Sequence, residues 1–329
     1  MVGHGTCPSV PSKIGGMQMA ADIVVVGSLN VDMVVNVNQR PEWGETVLGH
    51  GFFTGNGGKG GNQAFAASKL GASVAMLGCV GEDIFGEQLL KGLNDVGVDT
   101  TNIEKIHGVS SGVAVISVNS EGENSIIVSP GANDHVTPEY VKKHEQVIRE
   151  AKLVMMQLEI PLETVIEVAN IAHAYNVPVM LDPAPARELP DELYKKVTYL
   201  TPNESELGIL VNAKISDAES AKAAGLKLLK KGVDTVFAKL GGKGVVVLRE
   251  TETFSVDPQT VTVVDTTAAG DAFAGALATA LVSGKNLHEA TEFANTVGAL
   301  TVTKKGAQSS MPTLEEVGHG DRSLVPDEN

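Results

Sequence analysis

Residues 22–27 of the chain read Asp-Ile-Val-Val-Val-Gly, in which four consecutive β-branched side chains are followed by a glycine. A strand with one face in water alternates apolar and polar residues, whereas a strand covered on both faces is apolar throughout. The run therefore predicts a strand that is buried on both faces of a parallel sheet. Because parallel neighbours are joined by crossover helices, the same run predicts helices on either side of that sheet.

The rest of the chain supplies the helices and strands that such a sheet requires. Sequence patterns predict helices at residues 64–70, 84–96, 161–175 and 218–230. Apolar runs predict strands at residues 74–79, 153–157, 177–181, 197–200 and 235–240. Strands that alternate with helices at this spacing are typical of a mostly parallel sheet with helices on both faces. The sequence thus predicts a Rossmann-like, three-layer α/β/α fold.

Two stretches, residues 33–53 and 112–129, break this alternation, because both are strand-like around turn signals and contain no helix pattern. In the second stretch, Ser120-Glu-Gly-Glu separates two apolar runs, which is a hairpin pattern. Two arrangements fit the pattern equally well. The stretches are either antiparallel strands at an edge of the main sheet or a small separate β-sheet that covers the site as a lid.

The composition excludes several classes of protein. The 329 residues carry a formal net charge of -15, and 43% of them are hydrophobic. A protein that binds nucleic-acid phosphates is expected to be basic, so no nucleic-acid partner is expected here. No apolar run approaches the roughly 18 residues that a membrane span needs, so no membrane association is expected either.

One main domain between two tails is expected. Residues 1–21 and 318–329 lack periodicity, which predicts a flexible N-terminal extension, a domain at residues 22–317 and a flexible C-terminal tail. The two cysteines, Cys7 and Cys79, lie in dissimilar surroundings, and no apolar signal segment opens the chain. These features favour a reduced, cytoplasmic setting without a disulfide.

The strongest chemical signal is Asp265-Thr-Thr-Ala-Ala-Gly-Asp271, which lies between a strand-like run at 261–264 and a helical run at 272–282. The small residues therefore fall at a helix N terminus, where the first backbone N–H groups are unpaired and the macrodipole is positive. Such a terminus binds anions closely. Asp271 is then either a helix-stabilising carboxylate or a general base that takes a proton from a hydroxyl attacking a phosphoryl group.

A second signal is Gly55-Asn-Gly-Gly-Lys-Gly-Gly-Asn62, in which five glycines precede a helix pattern. It is not a Walker A loop, because Lys59 is followed by glycine rather than Ser or Thr. The first strand is also not followed by the dinucleotide fingerprint Gly-x-Gly-x-x-Gly. The glycines form either a plain turn or a close backbone approach to a polar ligand, with Lys59 and Asn62 as its hydrogen-bonding side chains.

Polar residues also follow several predicted strands, at the edge where parallel sheets bind ligands. Asn30 and Asp32 come after the first strand and suit sugar hydroxyls, since an amide donates and accepts while a carboxylate accepts. Glu159 follows the strand at 153–157 and is either a ligand at the same edge or a surface carboxylate. The scattered histidines have no zinc spacing, and no Gly-x-Ser-x-Gly elbow is present, which disfavours zinc enzymes and hydrolases.

Together these segments resemble the ribokinase family of sugar kinases, the PfkB group, from about residue 23 to residue 311. Gly57-Gly-Lys-Gly-Gly-Asn62 looks like the first signature of that family, and the stretch ending at Asp271 looks like the second. The resemblance implies a ribokinase-like fold whose small β-sheet closes over the sugar, and a homodimer formed through these lid strands. It also implies transfer of a phosphoryl group from ATP to the 5-hydroxyl of D-ribose.

The resemblance implies a role for each matching residue. Asp271 would be the general base, with the anion hole formed by Ala268, Ala269 and Gly270. The sugar would be held by Asn30, Asp32, Gly58, Lys59, Gly60, Gly61, Asn62 and Glu159. The ATP would be bordered by Asn203, Lys239, Leu240, Gly241, Gly242, Lys243, Gly244, Gly270 and Asn295.

Two cofactors follow from the same resemblance. Mg²⁺ would be placed through water by Asn203 and Glu206, although Asn203-Glu-Ser-Glu206 is also an ordinary helix-capping pattern. A monovalent cation, usually K⁺ in the family, would lie beside the anion hole. Its matching positions are Asp265, Thr267, Thr301, Lys304, Gly306 and Ser310.

Other interpretations stay open on the residues alone. The same chemistry is possible on deoxyribose, a ketohexose or a nucleoside, although only 4% of the residues are aromatic, which argues mildly against a stacked base. A non-catalytic sugar-binding relative is disfavoured by the intact Asp271, and a nicotinamide-dependent oxidoreductase by the missing fingerprint. Lys239 departs from the family pattern, because relatives often carry a small hydroxyl residue at that position.

Overall fold

The computed structural model describes residues 20–121 and 123–323. The strands are β1 (Ile23–Val26), β2 (Asn30–Asn36), β3 (His50–Gly57), β4 (Val74–Gly81), β5 (Ile103–Ile106), β6 (Gly112–Val118), β7 (Asn124–Ser129), β8 (Leu153–Met156), β9 (Val179–Leu181), β10 (Tyr199–Leu200), β11 (Thr235–Lys239), β12 (Val245–Arg249) and β13 (Glu252–Val256). The helices are α1 (Lys59–Lys69), α2 (Ile84–Asp95), α3 (Pro138–Lys143), α4 (Glu145–Glu150), α5 (Leu162–Ala174), α6 (Asp191–Tyr194), α7 (Glu204–Val211), α8 (Ala218–Lys231), α9 (Ala269–Val282), α10 (Leu287–Thr301) and α11 (Leu314–Ser323). No helix in these ranges is long and apolar enough to cross a membrane.

The main sheet has the strand order β13-β12-β11-β10-β9-β8-β1-β4-β5. Its strands run parallel from β5 to β11, and only β12 and β13 add antiparallel pairs at one edge. The chain order reverses at β1, whose neighbours are β4 on one side and β8 on the other. Ligands of such sheets bind beyond the carboxyl ends of the strands at this reversal, which is where the segments after β1 and β8 lie.

The first strand is buried on both faces, as its sequence predicts. Val24 and Val26 pack into the hydrophobic cluster on one face of the sheet, and Ile23 and Val25 into the cluster on the other. All four side chains are fully buried. The sheet is therefore covered on both faces at β1, and the predicted three-layer α/β/α fold is confirmed.

A second, four-stranded sheet has the order β3-β2-β6-β7. Of its pairs, β2–β3 and β6–β7 are antiparallel, while β2 and β6 at its centre run parallel. The alternative that these stretches decorate an edge of the main sheet is thus wrong. The chain leaves the main sheet between β1 and β2, so β2 pairs with strands of its own sheet.

Helix α1 begins at Lys59, inside the glycine-rich stretch and five residues before the predicted start at residue 64. Glycine is a poor helix former, which is why the sequence pattern places the start too late. The contact with the chain after β1 explains the glycines, because a Cβ on Gly60 would lie 2.6 Å from the backbone nitrogen of Ser28. Close approach, rather than helix propensity, therefore decides these positions.

Residues 261–264 form no strand, contrary to the prediction from their β-branched pattern. The backbone N–H of Val264 donates instead to the carbonyl of Val302 at the end of α10, at 2.8 Å. Val263 and Val264 are both exposed. The segment is apolar enough for a strand, but its backbone is hydrogen-bonded to a helix end rather than to a neighbouring strand.

The C-terminal boundary predicted at residue 317 falls inside α11, which runs to Ser323. A reciprocal cap starts this helix, since the backbone N–H of Thr313 donates to the Glu316 carboxylate and the backbone N–H of Glu316 donates to the Thr313 hydroxyl. The capping pattern Thr-x-x-Glu was present in the sequence, but Gly318 and Gly320 obscured the helix that follows. Residues 1–19 and 324–329, where the two flexible tails were predicted, lie outside the described residues.

Helix α9 crosses α1 at Gly275, and this contact yields a stability prediction. A Cβ at Gly275 would lie 2.7 Å from the Cβ of Ala66 and 2.9 Å from the carbonyl oxygen of Gln63. We expect Gly275→Ala to lower the free energy of unfolding by about 1–3 kcal/mol, because overpacking must push the helices apart. Urea denaturation measures this change.

Gly298→Ala in α10 is the matched control, since its added Cβ would meet no atom closer than 3.6 Å. Alanine is the better helix former, so this variant should be neutral or more stable by up to about 1 kcal/mol. Equal unfolding free energies for the two variants would contradict the close contact between α9 and α1.

Candidate active site

Three segments meet at the carboxyl end of β1. They are the start of α1, the start of α9 and the segment after β8. The structure brings together the predicted sugar-side residues and Asp271 at this point. The nucleotide-side residues follow along the same edge of the sheet, at the ends of β10 and β11.

The start of α9 has the geometry of an anion site. Its N-cap, Ala268, has a left-handed backbone with φ 58°, and Asp271 lies in the first turn. The first N–H groups of a helix lack partners within it and face outward. One of the three predicted donors is already engaged, because the N–H of Ala269 donates to the carbonyl of Thr266 at 3.3 Å. The two other predicted donors are the N–H groups of Ala268 and Gly270.

Asp271 is 5% exposed and is held by two side-chain amides. Asn62 Nδ2 donates to Asp271 Oδ2 at 2.9 Å, and Gln63 Nε2 donates to Oδ1 at 3.3 Å. Burial raises the pKa of Asp271 to about 6, while the positive charge of Lys59 opposes that rise. The carboxylate is thus an ionised acceptor at neutral pH, and it is more basic than an exposed aspartate.

Lys59 lies at the first position of α1, between the carboxylates. Its pKa is raised above the usual range mainly by the negative charge of Asp271, with burial opposing the rise. Its backbone N–H donates to Glu159 Oε2 at 3.0 Å, and the hydroxyl of Ser28 donates to the same oxygen at 2.6 Å. Glu159 therefore ties the segment after β8 to the starts of both α1 and the chain leaving β1.

Asn30 and Asp32 lie on β2 beside the glycine-rich stretch. The carboxylate of Asp32 packs against the backbone at Gly57, where an added Cβ would lie 2.3 Å from Oδ2. Burial, together with the charges of Glu159 and Asp271, raises the pKa of Asp32 to about 7. Several carboxylates thus share one pocket. The hydroxyls of a polyol bound there would donate hydrogen bonds to these carboxylates.

Asn133, which the sequence analysis missed, fixes Asn30. Its Oδ1 accepts from the backbone N–H of Leu29 at 2.8 Å, and its Nδ2 donates to Asn30 Oδ1 at 2.8 Å. Asn133 is buried and lies more than one hundred positions away in the chain. No local pattern around it carries a signal, so only the tertiary structure identifies it.

Asp182 and Gln63 were also missed. Asp182 is the first residue after β9 and accepts from Gln63 Nε2 at 2.9 Å and from Lys239 Nζ at 3.2 Å. Its place after a predicted strand, within Asp-Pro-Ala-Pro, was a usable signal by the strand-end rule. Gln63 adjoins the predicted Asn62, but nothing in the sequence shows that its amide faces two carboxylates.

The nucleotide-side residues lie around the ends of β10 and β11. Asn203 and Glu206 cap α7 reciprocally, since each backbone N–H donates to the other side chain. Burial and the charge of Asp182 raise the pKa of Glu206, and Lys239 opposes this rise. Glu206, Asp182 and Lys239 are thus close enough to interact electrostatically.

The turn after β11 is formed by Leu240, Gly241, Gly242, Lys243 and Gly244. Its backbone closes through a hydrogen bond from the N–H of Leu240 to the carbonyl of Gly244 at 2.8 Å. The Lys243 side chain, however, binds Glu204 and the carbonyl of Ser216 at the surface. Asn295 on α10 donates to the carbonyl of Asp257 at 2.8 Å. In this structure both side chains are thus engaged by the protein itself.

Of the predicted cation positions, Thr267 and Gly306 are hydrogen-bonded to Asp265. Its Oδ1 accepts from the N–H and the hydroxyl of Thr267, and its Oδ2 accepts from the N–H of Gly306 at 2.9 Å. Burial on its own would raise the pKa of Asp265, but these hydrogen bonds hold it below the usual range. The Lys304 ammonium is paired with Glu316. Among the described residues, no group of three or more His, Cys, Asp and Glu could hold a metal ion.

Comparison with known proteins identifies the family. The model of the pfkB family of carbohydrate kinases matches residues 20–314. The chain belongs to this family. The resemblance of its two signatures is thereby confirmed, and the protein is a carbohydrate kinase with a ribokinase-like fold.

Similar proteins match this pfkB kinase over nearly its whole length. The ribokinase of Schizosaccharomyces pombe is 45% identical over 306 residues, which are 90% of this chain and 96% of the relative. The ribokinase of Haemophilus influenzae is 41% identical over 298 residues, 91% and 97% of the two chains. The structure of Arabidopsis thaliana ribokinase complexed with ribose and ATP has a TM-score of 0.87 and 36% identity, with 92% and 99% of the two chains covered.

Proposed function

We propose that this kinase transfers the γ-phosphoryl group of ATP to the 5-hydroxyl of D-ribose. The observation that carries the proposal is the buried Asp271 carboxylate at the start of α9, held by Asn62 and Gln63 beside the Lys59 charge. This arrangement sets a base next to an anion site, with hydroxyl-binding groups on the other side. The ribokinases to which the chain is similar act on the substrate that these groups suit.

Asp271 accepts the proton of the attacking hydroxyl. The 5-hydroxyl oxygen forms a bond to the γ-phosphorus, its proton passes to Asp271, and the bond from that phosphorus to the bridging β-phosphate oxygen breaks. The products are D-ribose 5-phosphate and ADP. Positioning and electrostatic stabilisation at the N terminus of α9 provide most of the acceleration, because this chemistry needs little covalent help from the protein.

The sugar is bound by groups that accept and donate hydrogen bonds. Asp32 and Glu159 accept from sugar hydroxyls, and Asn30 and Lys59 donate. Asn30 Oδ1 accepts a hydrogen bond from Asn133 Nδ2. This contact leaves Asn30 Nδ2 to face the sugar. Gly57 and Gly58 allow these groups to lie this close, because a Cβ on either glycine would collide with the Asp32 carboxylate or with the backbone nitrogen of Asn30.

Mg²⁺ bound with ATP fits the face formed by Asn203 and Glu206. The raised pKa of Glu206 reflects burial and the negative charge of Asp182, and a cation near these carboxylates relieves that repulsion. The ion supplies charge neutralisation at the phosphates. Glu206 acts through water, since its carboxylate oxygens already accept from Asn203.

A monovalent cation, K⁺, fits the segment around Asp265. The six predicted positions offer one carboxylate, three hydroxyls and backbone carbonyls, all of them oxygens that suit a hard cation. Asp265 also links the loop before α9 to the loop at Gly306 through hydrogen bonds to both. A cation held there would steady the backbone whose N–H groups face the phosphoryl group.

The four-stranded sheet acts as a lid and as a dimer surface in this proposal. Asp32, which faces the sugar, lies two positions before Val34 on β2, so both share one face of the sheet. Cross-strand neighbours of Val34 in that row include Phe53, Ile116 and, one strand further, Ile126. Phe53 and Ile126 are half-exposed. An apolar face continuous with the sugar site favours a homodimer in which a second copy covers it.

Asp271→Asn tests the base directly. An amide cannot accept the proton, so the variant should fold and bind ribose but lose turnover. ADP release assays across ribose, deoxyribose, fructose and adenosine measure both activity and acceptor choice, and calorimetry measures ribose binding. Asp95→Asn, at an exposed helix end, is the control. Near-normal kcat in Asp271→Asn would overturn the base assignment, and a preferred acceptor other than ribose would overturn the substrate.

The pH dependence should follow the ionisation of Asp271. The base works only when deprotonated, and its pKa is about 6. The value of kcat/KM should therefore fall below neutral pH, because kcat/KM reports groups of the free enzyme and Asp32, with a pKa of about 7, titrates there as well as Asp271. Lys59→Met removes the charge that lowers the pKa of Asp271, so the acid limb should move to higher pH even though the overall rate also falls. A limb that stays in place or moves to lower pH would contradict the predicted coupling.

Removal of the monovalent cation should lower kcat sharply. Rates in potassium chloride are compared with rates in tetramethylammonium chloride at equal ionic strength, with Mg²⁺ constant. Asp265→Asn should lose the response to K⁺, because its amide cannot accept from both loops as the carboxylate does. Equal rates of the wild-type enzyme in the two salts would remove the cation from the proposal.

A further inference from the structure

Lys239 and Asp182 form an ion pair inside the site. Lys239 Nζ lies 3.2 Å from Asp182 Oδ1, and the two side chains are only 13% and 2% exposed. A buried ion pair is weak evidence for a gain in stability, because desolvation of both charges offsets their attraction. The pair therefore calls for an explanation beyond the stability of the fold.

The Lys239 ammonium faces the N terminus of α9. It lies 3.3 Å from the point that a Cβ on Gly270 would occupy, and 6.0 Å from the centre of the Phe273 ring. Gly270 belongs to the backbone that would surround the transferred phosphoryl group. The ammonium is thus close to the reacting phosphate rather than at the outer end of the nucleotide.

The surrounding hydrogen bonds hold Asp182 in place. Asp182 Oδ2 accepts from Gln63 Nε2 at 2.9 Å, and Oδ1 accepts from the Thr201 hydroxyl at 3.3 Å. The orientation of Gln63 is fixed in turn, because its Oε1 accepts from Gln157 Nε2 at 2.7 Å. Asp182 therefore has donors on both oxygens besides Lys239, and the ammonium, which has three N–H donors, can bond to a phosphate while it stays beside Asp182.

We propose that Lys239 donates a hydrogen bond to the phosphoryl group while that group is transferred, and that Asp182 positions Lys239 for this contact. The proposal rests on the kinase reaction described above. Lys239 keeps its protons throughout, and the hydroxyl proton still passes to Asp271. During transfer, charge spreads over the equatorial oxygens of the phosphoryl group. An ammonium fixed beside these oxygens therefore stabilises the transition state more than it stabilises the ground state with ATP bound.

The test begins with Lys239→Met, which keeps the length of the side chain and removes its charge. Loss of one such preorganised donor should lower kcat by about 10²–10³-fold, whereas KM for ATP should change much less. Ribose binding without nucleotide, measured by calorimetry, should be unchanged. Lys152→Met is the matched control, since it breaks the ion pair with Asp22 at the opposite end of the sheet and should keep the wild-type kcat.

A double variant separates catalysis from stability. Lys239→Met leaves the Asp182 charge without its cation, so thermal stability should fall. The double variant Lys239→Met with Asp182→Asn removes both charges and should recover stability, but its kcat should stay as low as that of the single variant. Recovery of kcat together with stability would overturn the proposal and make Lys239 a structural residue.

A binding measurement completes the test without turnover. ADP with aluminium fluoride imitates the phosphoryl group in transfer, and its affinity for Lys239→Met should fall far more than the affinity of ADP alone. Equal losses for the two ligands would overturn the proposal. Failure of the proposed function is distinguishable, because it appears in the wild-type assay with ribose, whereas this measurement depends only on the phosphate side of the site.

Discussion

The contact between the start of α1 and the chain leaving β1 is the constraint on which the site depends. A Cβ on Gly58 would lie 2.6 Å from the backbone nitrogen of Asn30, and one on Gly60 would lie equally close to that of Ser28. Only glycine permits this approach without moving the backbone. It brings Asn62 to a carboxylate 209 positions later in the chain, Asp271. The proposed sugar-binding groups, base and anion site therefore all depend on this close packing of one backbone against another.

The overall charge of -15 does not conflict with a phosphate ligand. Backbone N–H groups at a helix N terminus attract an anion without any basic surface. The structure adds two lysines, and each is compensated locally. Lys59 lies among carboxylates led by Asp271, and Lys239 is paired with Asp182. Both positive charges of the site are therefore balanced by carboxylates beside them.

The sequence allowed the layered fold to be predicted, and it indicated residues that the structure brings together at one edge of the sheet, because those signals are local. For the β-branched run of β1 and for the stretch ending at Asp271, a few adjacent residues are enough to predict the local structure. Residues 261–264 show the limit of such patterns, because their β propensity is real but their backbone bonds to the end of α10. Gln63 and Asn133 act through partners far away in the chain, so no window of sequence could reveal their hydrogen bonds. For the same reason, the sequence left undecided whether the lid strands form a separate sheet, since that depends on pairing between strands that are distant in the chain.

The basicity of Asp271 depends on two opposing effects of its surroundings, which are burial and the charge of Lys59. Burial raises its pKa to about 6, and Lys59 limits that rise, so the carboxylate is ionised at neutral pH and still a stronger base than one in water. Gln157 fixes the amide of Gln63 so that only N–H groups face Asp271 and Asp182. Both carboxylates must then act as acceptors in the resting site. Gln63 thus connects Asp182, which is paired with Lys239, to Asp271 through one fixed amide.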